Sequence, residues 1–378
     1  MMNRRQFVSL SGLASLPLLT GFVPATRGIN TVKNDLKMPV NMVIDGFFFN
    51  PSEYINILQQ IEETSGINGD FYGNGGVVSQ LEQEFQNIAG KEQALYLPTG
   101  TMANELALRL HCGDKEKIIV HSDSHVFMDE NKSAERIHQK KLVEIANGMV
   151  SFSSSDLNKS LSDIGAITME NPVRRHSGAI VPLEDLRAVT DLARNNRIGT
   201  HLDGARIHLA SAYSGIPIKD YASLFDSVYI SLYKYLGASG GAILAGSSDF
   251  IEQVKDHVHP LGGMVFRSWS NAAVAHHFIK DLDVRLKQVV EEGNEIERQI
   301  NNLDELEIRT IENGTNVAFL SSKSLNLETF ADEMNETHNI WMNYPDNGEI
   351  EIHFNESLSQ LGTDNFIRAV KASILKAR

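Results

Sequence analysis

The most reactive group that the order of residues sets apart is a lysine. Ser231-Leu232-Tyr233-Lys234-Tyr235-Leu236-Gly237 follows a β-type run and precedes the glycine cluster Gly237, Gly240 and Gly241. A lysine at a strand end is open to desolvation, which lowers its basicity and frees the neutral amine to form an imine with a carbonyl compound. Thirty-one residues earlier, His201-Leu202-Asp203-Gly204-Ala205-Arg206 closes another strand. Asp203 supplies a carboxylate suited to keeping a ring nitrogen protonated. Arg206, three residues on, offers a planar bidentate donor for a substrate carboxylate or a cofactor phosphate. A third element, Leu97-Pro98-Thr99-Gly100-Thr101-Met102-Ala103-Asn104, passes from strand to helix. There the Gly100 and Thr101 amides and the Thr101 hydroxyl make an anion site at a helix N-terminus. It lacks the glycine spacing of a P-loop or a dinucleotide turn, which counts against ATP and NAD. An imine-forming lysine, a ring-nitrogen carboxylate and a phosphate cup, each at the carboxyl end of a strand, are the parts needed to hold pyridoxal 5'-phosphate (PLP) in one crevice.

The elements that must position these groups alternate in type. Short β-type runs at 94–97, 118–121, 142–146, 166–170, 198–202, 227–231 and 242–245 are separated by helix-length segments such as 101–112, 155–163 and 184–196, with further helical spacing at 53–64 and 78–89. This predicts an α/β fold with a mainly parallel seven-stranded sheet between helices. A long amphipathic stretch, 271–301, is expected to link this large domain, 53–270, to a small C-terminal α+β domain, 302–378. In that small domain 316–321 and 349–354 read as strands, and 326–336 and 362–376 as helices. Residues 28–52, with Phe47-Phe48-Phe49, read as an arm that packs on something else.

At 378 residues, with 42% hydrophobic residues, the chain can build more than one core. A net charge of -14 opposes a nucleic-acid partner. One cysteine, Cys112, excludes an intramolecular disulfide and a multi-cysteine zinc site. The thirteen histidines contain no HExxH, so no metal is expected. Arg4-Arg5 before the mild apolar run Val8–Val23 resembles a twin-arginine export signal over 1–27, predicting a periplasmic or exported protein; a cytoplasmic or membrane-tethered one is the alternative. No later stretch has the roughly 20 apolar residues of a membrane span.

Taken together, the chain resembles the L-threonine aldolase group of the β-eliminating lyase family, fold type I of the PLP-dependent enzymes. The resemblance runs from about Asp70 to about Ile300. It rests on Asp70-Phe71-Tyr72-Gly73, the 97–104 segment, Glu170-Asn171-Pro172, Leu202-Asp203-Gly204-Ala205-Arg206-Ile207 and Leu261-Gly262-Gly263-Met264. It implies that Gly100 and Thr101 hold the phosphate, that His125 stacks on the pyridine ring, and that Glu130 matches the family's acidic residue five positions later. The family arginine after Gly-Gly-Gly-Met is matched two positions late by Arg267. Cleavage of a β-hydroxy-α-amino acid to glycine and an aldehyde is implied, with His125 first and Glu130 second as the base. A homodimer or homotetramer is implied as well.

Departures concern the substrate. The family's opening Arg-Ser-Asp-Thr is replaced by Val43-Ile44-Asp45-Gly46, and the arginine of its C-terminal strand has no counterpart in Glu349-Ile350-Glu351-Ile352-His353. Arg174 and Arg175 offer a substitute cation. Another amino acid reaction (β-elimination, racemisation or transamination) stays open, as does an exported binding protein on an inactive fold.

Overall fold

The computed structural model describes residues 40–157 and 161–378; the expected export signal lies outside them. Seven strands form the central sheet: β1 Gln93–Leu97, β2 Lys117–His121, β3 Lys141–Ile145, β4 Ile164–Glu170, β5 Gly199–Asp203, β6 Ser227–Ser231 and β7 Ala242–Gly246. Their spatial order is β1-β7-β6-β5-β4-β2-β3. Only β7 runs against its neighbours, pairing antiparallel with both β6 and β1. All residues of β4, β6 and β7 are buried, as short apolar runs must be when helices cover both faces. The carboxyl ends of β1, β5 and β6 therefore open on one edge, and these are the strands that deliver Gly100, Asp203 and Lys234.

Three helices matter for the site. α1, Gly100–Cys112, begins where Thr99 turns out of β1 and its hydroxyl accepts the Met102 amide at 3.2 Å, an N-cap of the ordinary kind. The stretch 271–301, expected as one helix, is two: α2, Trp269–Phe278, and α3, Leu282–Ile300. Asp281 stands at the start of the second, where its carbonyl accepts the Arg285 amide at 3.0 Å and its carboxylate binds the Arg285 side chain. α3 still joins the two cores, because Leu282 and Leu286 pack in the large one and Val289, Ile296 and Ile300 in the small one.

The small domain holds a three-stranded antiparallel sheet, with Val317–Ser321 between Glu307–Thr310 and Glu349–His353, covered by the helix Thr363–Ala377. Residues 326–336 begin as the helix Leu327–Asp332 and widen into a π-turn over Glu333–Thr337. The expected helix at 155–163 is a turn over its described part. Residues 40–50 of the arm are tied to both halves of the molecule. Val40–Asn41 pairs with Ile340–Trp341, Met42 enters the small core, Phe49 stacks on Phe278 of α2 and Phe47 meets the same ring at a tilt.

Candidate active site

At the shared strand edge lies a cavity of about 340 Å³ lined by Pro98–Thr101, His125, Tyr229, Tyr233 and Ser239–Gly241. Its floor admits no side chain at position 100, where an added Cβ would stand 2.1 Å from the Tyr229 hydroxyl. Gly100 and Thr101 thus present bare first-turn amides, which have no acceptor inside the helix.

Beside the cup, Asp203 ends β5 almost fully buried. Its Oδ1 accepts the Ala205 amide at 3.1 Å, and its Oδ2 accepts Nδ2 of Asn104 at 3.1 Å. The same Asn104 nitrogen donates to Glu130 Oε1 at 2.8 Å. Two carboxyl acceptors fix the amide orientation, so Asn104 Oδ1 must accept from His201 Nε2, 3.0 Å away. His201 Nδ1 is then the acceptor for the Ser227 hydroxyl at 2.8 Å, and Ser227 in turn accepts His111 Nε2 at 2.7 Å. Burial pushes both imidazoles down, His111 to about 4, so each is neutral as the chain requires. Every donor in this buried relay points toward Asp203. Asn104 stands in the motif read from the sequence, but its role was not visible there, because its partners lie 26, 97 and 99 residues away.

Lys234 follows β6 in the turn before Gly237 and Gly241. Its amine lies 5.6 Å from the centre of the Tyr233 ring. Burial and the Arg206 guanidinium push its pKa down to about 8, against the pull of Asp203, Asp45 and Glu170. Roughly a tenth of it is neutral amine at pH 7.

Arg206 is not free to take a substrate or phosphate anion. Its Nε and Nη2 grip Asp45 at 3.0 and 2.7 Å, a buried bidentate pair between the arm and the sheet. Burial alone would raise the Asp45 carboxyl, but Arg206 holds it below its ordinary value. An alternating arm sequence carries no signal for a contact across 161 residues.

His125 lines the cup. Its amide donates to Glu170 Oε2 at 2.9 Å, while Glu170 Oε1 takes the Arg174 amide at 3.0 Å. Its Nδ1 faces Asp129 Oδ2 at 3.0 Å, which calls for an Nδ1–H tautomer and leaves the Nε2 lone pair available. Asp129 is held on its other oxygen by Arg175 at 2.6 Å. The i, i+4 spacing of His125 and Asp129 on one helical turn was the signal that could have revealed it. Glu130, the second candidate base, is turned the other way: it is buried against Asn104, and burial first, then Asn104 against it and Asp203 with it, leaves its carboxyl raised well above the usual range. It is a support beneath Asp203. Arg267 lies outside the cup, stacked on Phe71 at 4.0 Å and Phe266 at 5.3 Å. The Arg174 side chain has no hydrogen-bond or ion-pair partner among the described residues, and its charge acts on Tyr235 and Glu351.

One grouping dense enough to hold a cation exists among the described residues, although sequence spacing gave no hint of it. Ligand atoms of His121, Asp123 and His176 lie within 4.8 Å of one another. Both His121 nitrogens are engaged, Nε2 with the Met149 carbonyl at 2.7 Å and Nδ1 with the Asp123 amide at 3.1 Å, and His176 Nε2 meets Asp123 at 3.0 Å. The His176–Asp123 bond fastens the loop before His125 to the loop carrying Arg174.

Comparison with known proteins agrees with this geometry. The family model described as "Beta-eliminating lyase" matches residues 60–323. A probable low-specificity L-threonine aldolase of Schizosaccharomyces pombe is 30% identical over 274 residues, 70% of this chain and 71% of that protein. A low specificity L-threonine aldolase of Escherichia coli is 30% identical over 230 residues, 59% of this chain and 68% of that protein. Among solved structures, a putative L-allo-threonine aldolase from Listeria monocytogenes superposes with a TM-score of 0.77, covering 89% of this chain and 96% of the other. At 20% identity this likeness shows the fold.

Proposed function

This chain belongs to the beta-eliminating lyase family, and we propose that it is a PLP-dependent aldolase that cleaves a β-hydroxy-α-amino acid of the L-threonine or L-allo-threonine type to glycine and an aldehyde. The observation that carries the reading is the convergence on one strand edge of a lysine with a pKa of about 8, a carboxylate fed by a buried donor relay, and a cup that tolerates only glycine at position 100. These residues fit PLP. Gly100 and Thr101 would hold its phosphate, Asp203 its ring nitrogen and Lys234 its aldehyde carbon. When bound, PLP supplies the carbonyl that takes the substrate amine and the protonated ring that receives the electron pair of the broken bond.

The chain's own groups do the rest. Arg174, whose backbone amide is held by Glu170 and whose guanidinium is unengaged, takes the substrate carboxylate in place of the missing family contacts, since Arg206, Arg175 and Arg267 are engaged elsewhere. His125 Nε2 removes the proton of the β-hydroxyl as the Cα–Cβ bond breaks and the aldehyde departs, and Asp129 steadies the resulting imidazolium. A proton from Lys234 Nζ completes glycine at Cα. The relay from His111 to Asn104 keeps the Asp203 carboxyl fixed in one orientation throughout.

Incubation of the PLP-loaded protein with L-threonine, L-allo-threonine and phenylserine, with aldehyde, ammonia and keto acid each assayed, tests the reading. Aldehyde and glycine in equal amounts are expected; ammonia with keto acid as the main products would replace aldol cleavage by β-elimination. The paired Arg4-Arg5 supports export and the fold class supports a homo-oligomer. Cell fractionation and light scattering test these two extensions of the proposal. No helix of the described residues is long and apolar enough to cross a membrane.

A further inference from the structure

Three side chains that the proposed reaction does not use converge beyond the end of β2. His121 is the last residue of that strand, Asp123 follows in the turn before His125, and His176 closes the short turn Arg174–His176. One ligand atom from each lies within 4.8 Å of the other two. Asp123 and His176 stand 53 residues apart in the chain, so motif spacing gave no reason to expect a metal. None of the three lines the cup.

The hydrogen bonds fix what each residue can offer. A carbonyl oxygen only accepts, so the 2.7 Å contact with the Met149 carbonyl puts the His121 proton on Nε2 and leaves the lone pair on Nδ1. Metal-binding histidines are held in the same way, with the second ring nitrogen donating to a carbonyl or a carboxylate. The Nδ1 lone pair takes only the Asp123 amide, two residues on, at 3.1 Å, a bond of modest net strength. His176 Nε2 stands 3.0 Å from Asp123 Oδ2. That is close to the roughly 3.4 Å that separates neighbouring ligands bound about 2.1 Å from a tetrahedral ion. The His176 and Asp123 side chains are 21% and 30% exposed, so an ion can enter from solvent and water can complete its shell, while buried His121 closes the inner side. The adjacent Arg175 guanidinium is drawn off by Asp129.

We infer that His121 Nδ1, the Asp123 carboxylate and His176 Nε2 form a binding site for a zinc-class divalent cation. Two imidazoles and one carboxylate suit zinc and its transition-metal neighbours, whereas magnesium and calcium take oxygen ligands. On binding, the single bond between Asp123 and His176 is exchanged for a bond from each to the ion, and the Asp123 amide gives up Nδ1. The ion touches no substrate and acts through position. Asp123 lies two residues before His125 and His176 two after Arg174, so one ion clasps the loops on which both stand.

Zinc chloride is the probe, added to PLP-loaded protein first stripped of metal by a chelator. Competition with a chromophoric chelator should show one tightly bound zinc per chain, not displaced by millimolar magnesium or calcium. Asp123→Asn keeps an acceptor for His176 but removes the charge, and His176→Gln keeps a polar side chain of similar size. Each should weaken zinc at least about a hundredfold, with far-UV circular dichroism showing that the variants fold. Anomalous diffraction at the zinc edge should place the ion between the three side chains. Hydrogen exchange of the amides in 121–128 and 173–178 should slow with zinc in the parent and not in the variants. No zinc bound at micromolar concentrations, full affinity in both variants, an anomalous peak only elsewhere, or unchanged exchange in the parent would each overturn the site. None of these readouts involves substrate turnover, so they stand or fall apart from the aldolase assignment.

Discussion

The floor and the rim of the crevice are built differently. Beneath Asp203 every polar group is buried and cross-linked: His111, Ser227, His201, Asn104 and Glu130 form one donor relay with distances of 2.7–3.1 Å. At the rim, His125, Asp129 and Arg175 are partly exposed and joined by single contacts, and Arg174 is joined to nothing through its side chain. Groups that hold a coenzyme ring in one orientation gain from rigidity, and a buried, cross-linked network gives it, here with Glu130 Oε2 left without a partner. Groups that meet a succession of substrates need room to adjust. The contrast places coenzyme electronics in the floor and substrate choice in the rim.

The largest effect should come where floor and rim meet. Lys234→Ala is expected to remove visible absorption from the PLP-treated protein and to lower turnover on the order of a thousandfold or more. In the unmodified apo protein, the rate of PLP capture should rise with pH around about 8, because the neutral amine appears as pH passes that value, well below the 10.5 of an ordinary lysine. A capture midpoint near the ordinary value would separate Lys234 from its charged surroundings.

Breaking the floor is next. Asn104→Leu leaves Asp203 Oδ2, Glu130 Oε1 and His201 Nε2 without their partner, so denaturant unfolding should show a loss of about 3 kcal/mol, accompanied by weaker PLP retention. A rim change should behave otherwise. Arg174→Ala is expected to raise KM roughly 10–100-fold with kcat nearly unchanged and stability intact, because it removes one charge-assisted contact to the substrate. If kcat falls while KM stays put, the carboxylate is bound elsewhere.

The smallest effect has an unusual sign. Burial, with Asp203 alongside, raises the Glu130 carboxyl well above its ordinary value, so the fold holds its proton to higher pH than the unfolded chain does. Its contribution to stability is full below the unfolded value of about 4.5 and is lost as pH rises through the folded one. Glu130→Gln should therefore be more stable than the parent near pH 7, by about 1–2 kcal/mol, with the gap closing as pH falls toward the unfolded value. Thermal unfolding across that range checks it, and a destabilised variant at neutral pH would mean that Glu130 is anionic in the fold.

Much of the sheet was legible in the sequence, because strands buried on both faces appear as short unbroken apolar runs between turn residues, as Ala242–Gly246 and Ser227–Ser231 do. Glu307–Thr310 was not, since only Ile308 of its four residues is buried and an edge strand with so little apolar content has no pattern to read. The placement of Gly100, Asp203 and Lys234 followed from strand ends. What could not be read were pairings between distant segments: Asp45 with Arg206, Asn104 with His201, and His176 with Asp123. Sequence shows that an arginine is present, whereas only the fold shows whether its fork is already occupied. For that reason Arg206, Arg267 and Arg175 looked as available as Arg174.

The arm over residues 40–50 has a mechanical consequence. One end is bonded into the small domain through Val40 and Met42, and the other is clamped to Arg206 through Asp45, with Gly46 so close to the Lys234 carbonyl that a Cβ would stand 2.4 Å from it. Any displacement of the small domain relative to the sheet would be passed along this tether to the carboxylate that pairs with Arg206, and from there to the basicity of the lysine amine, without a contact to the amine itself.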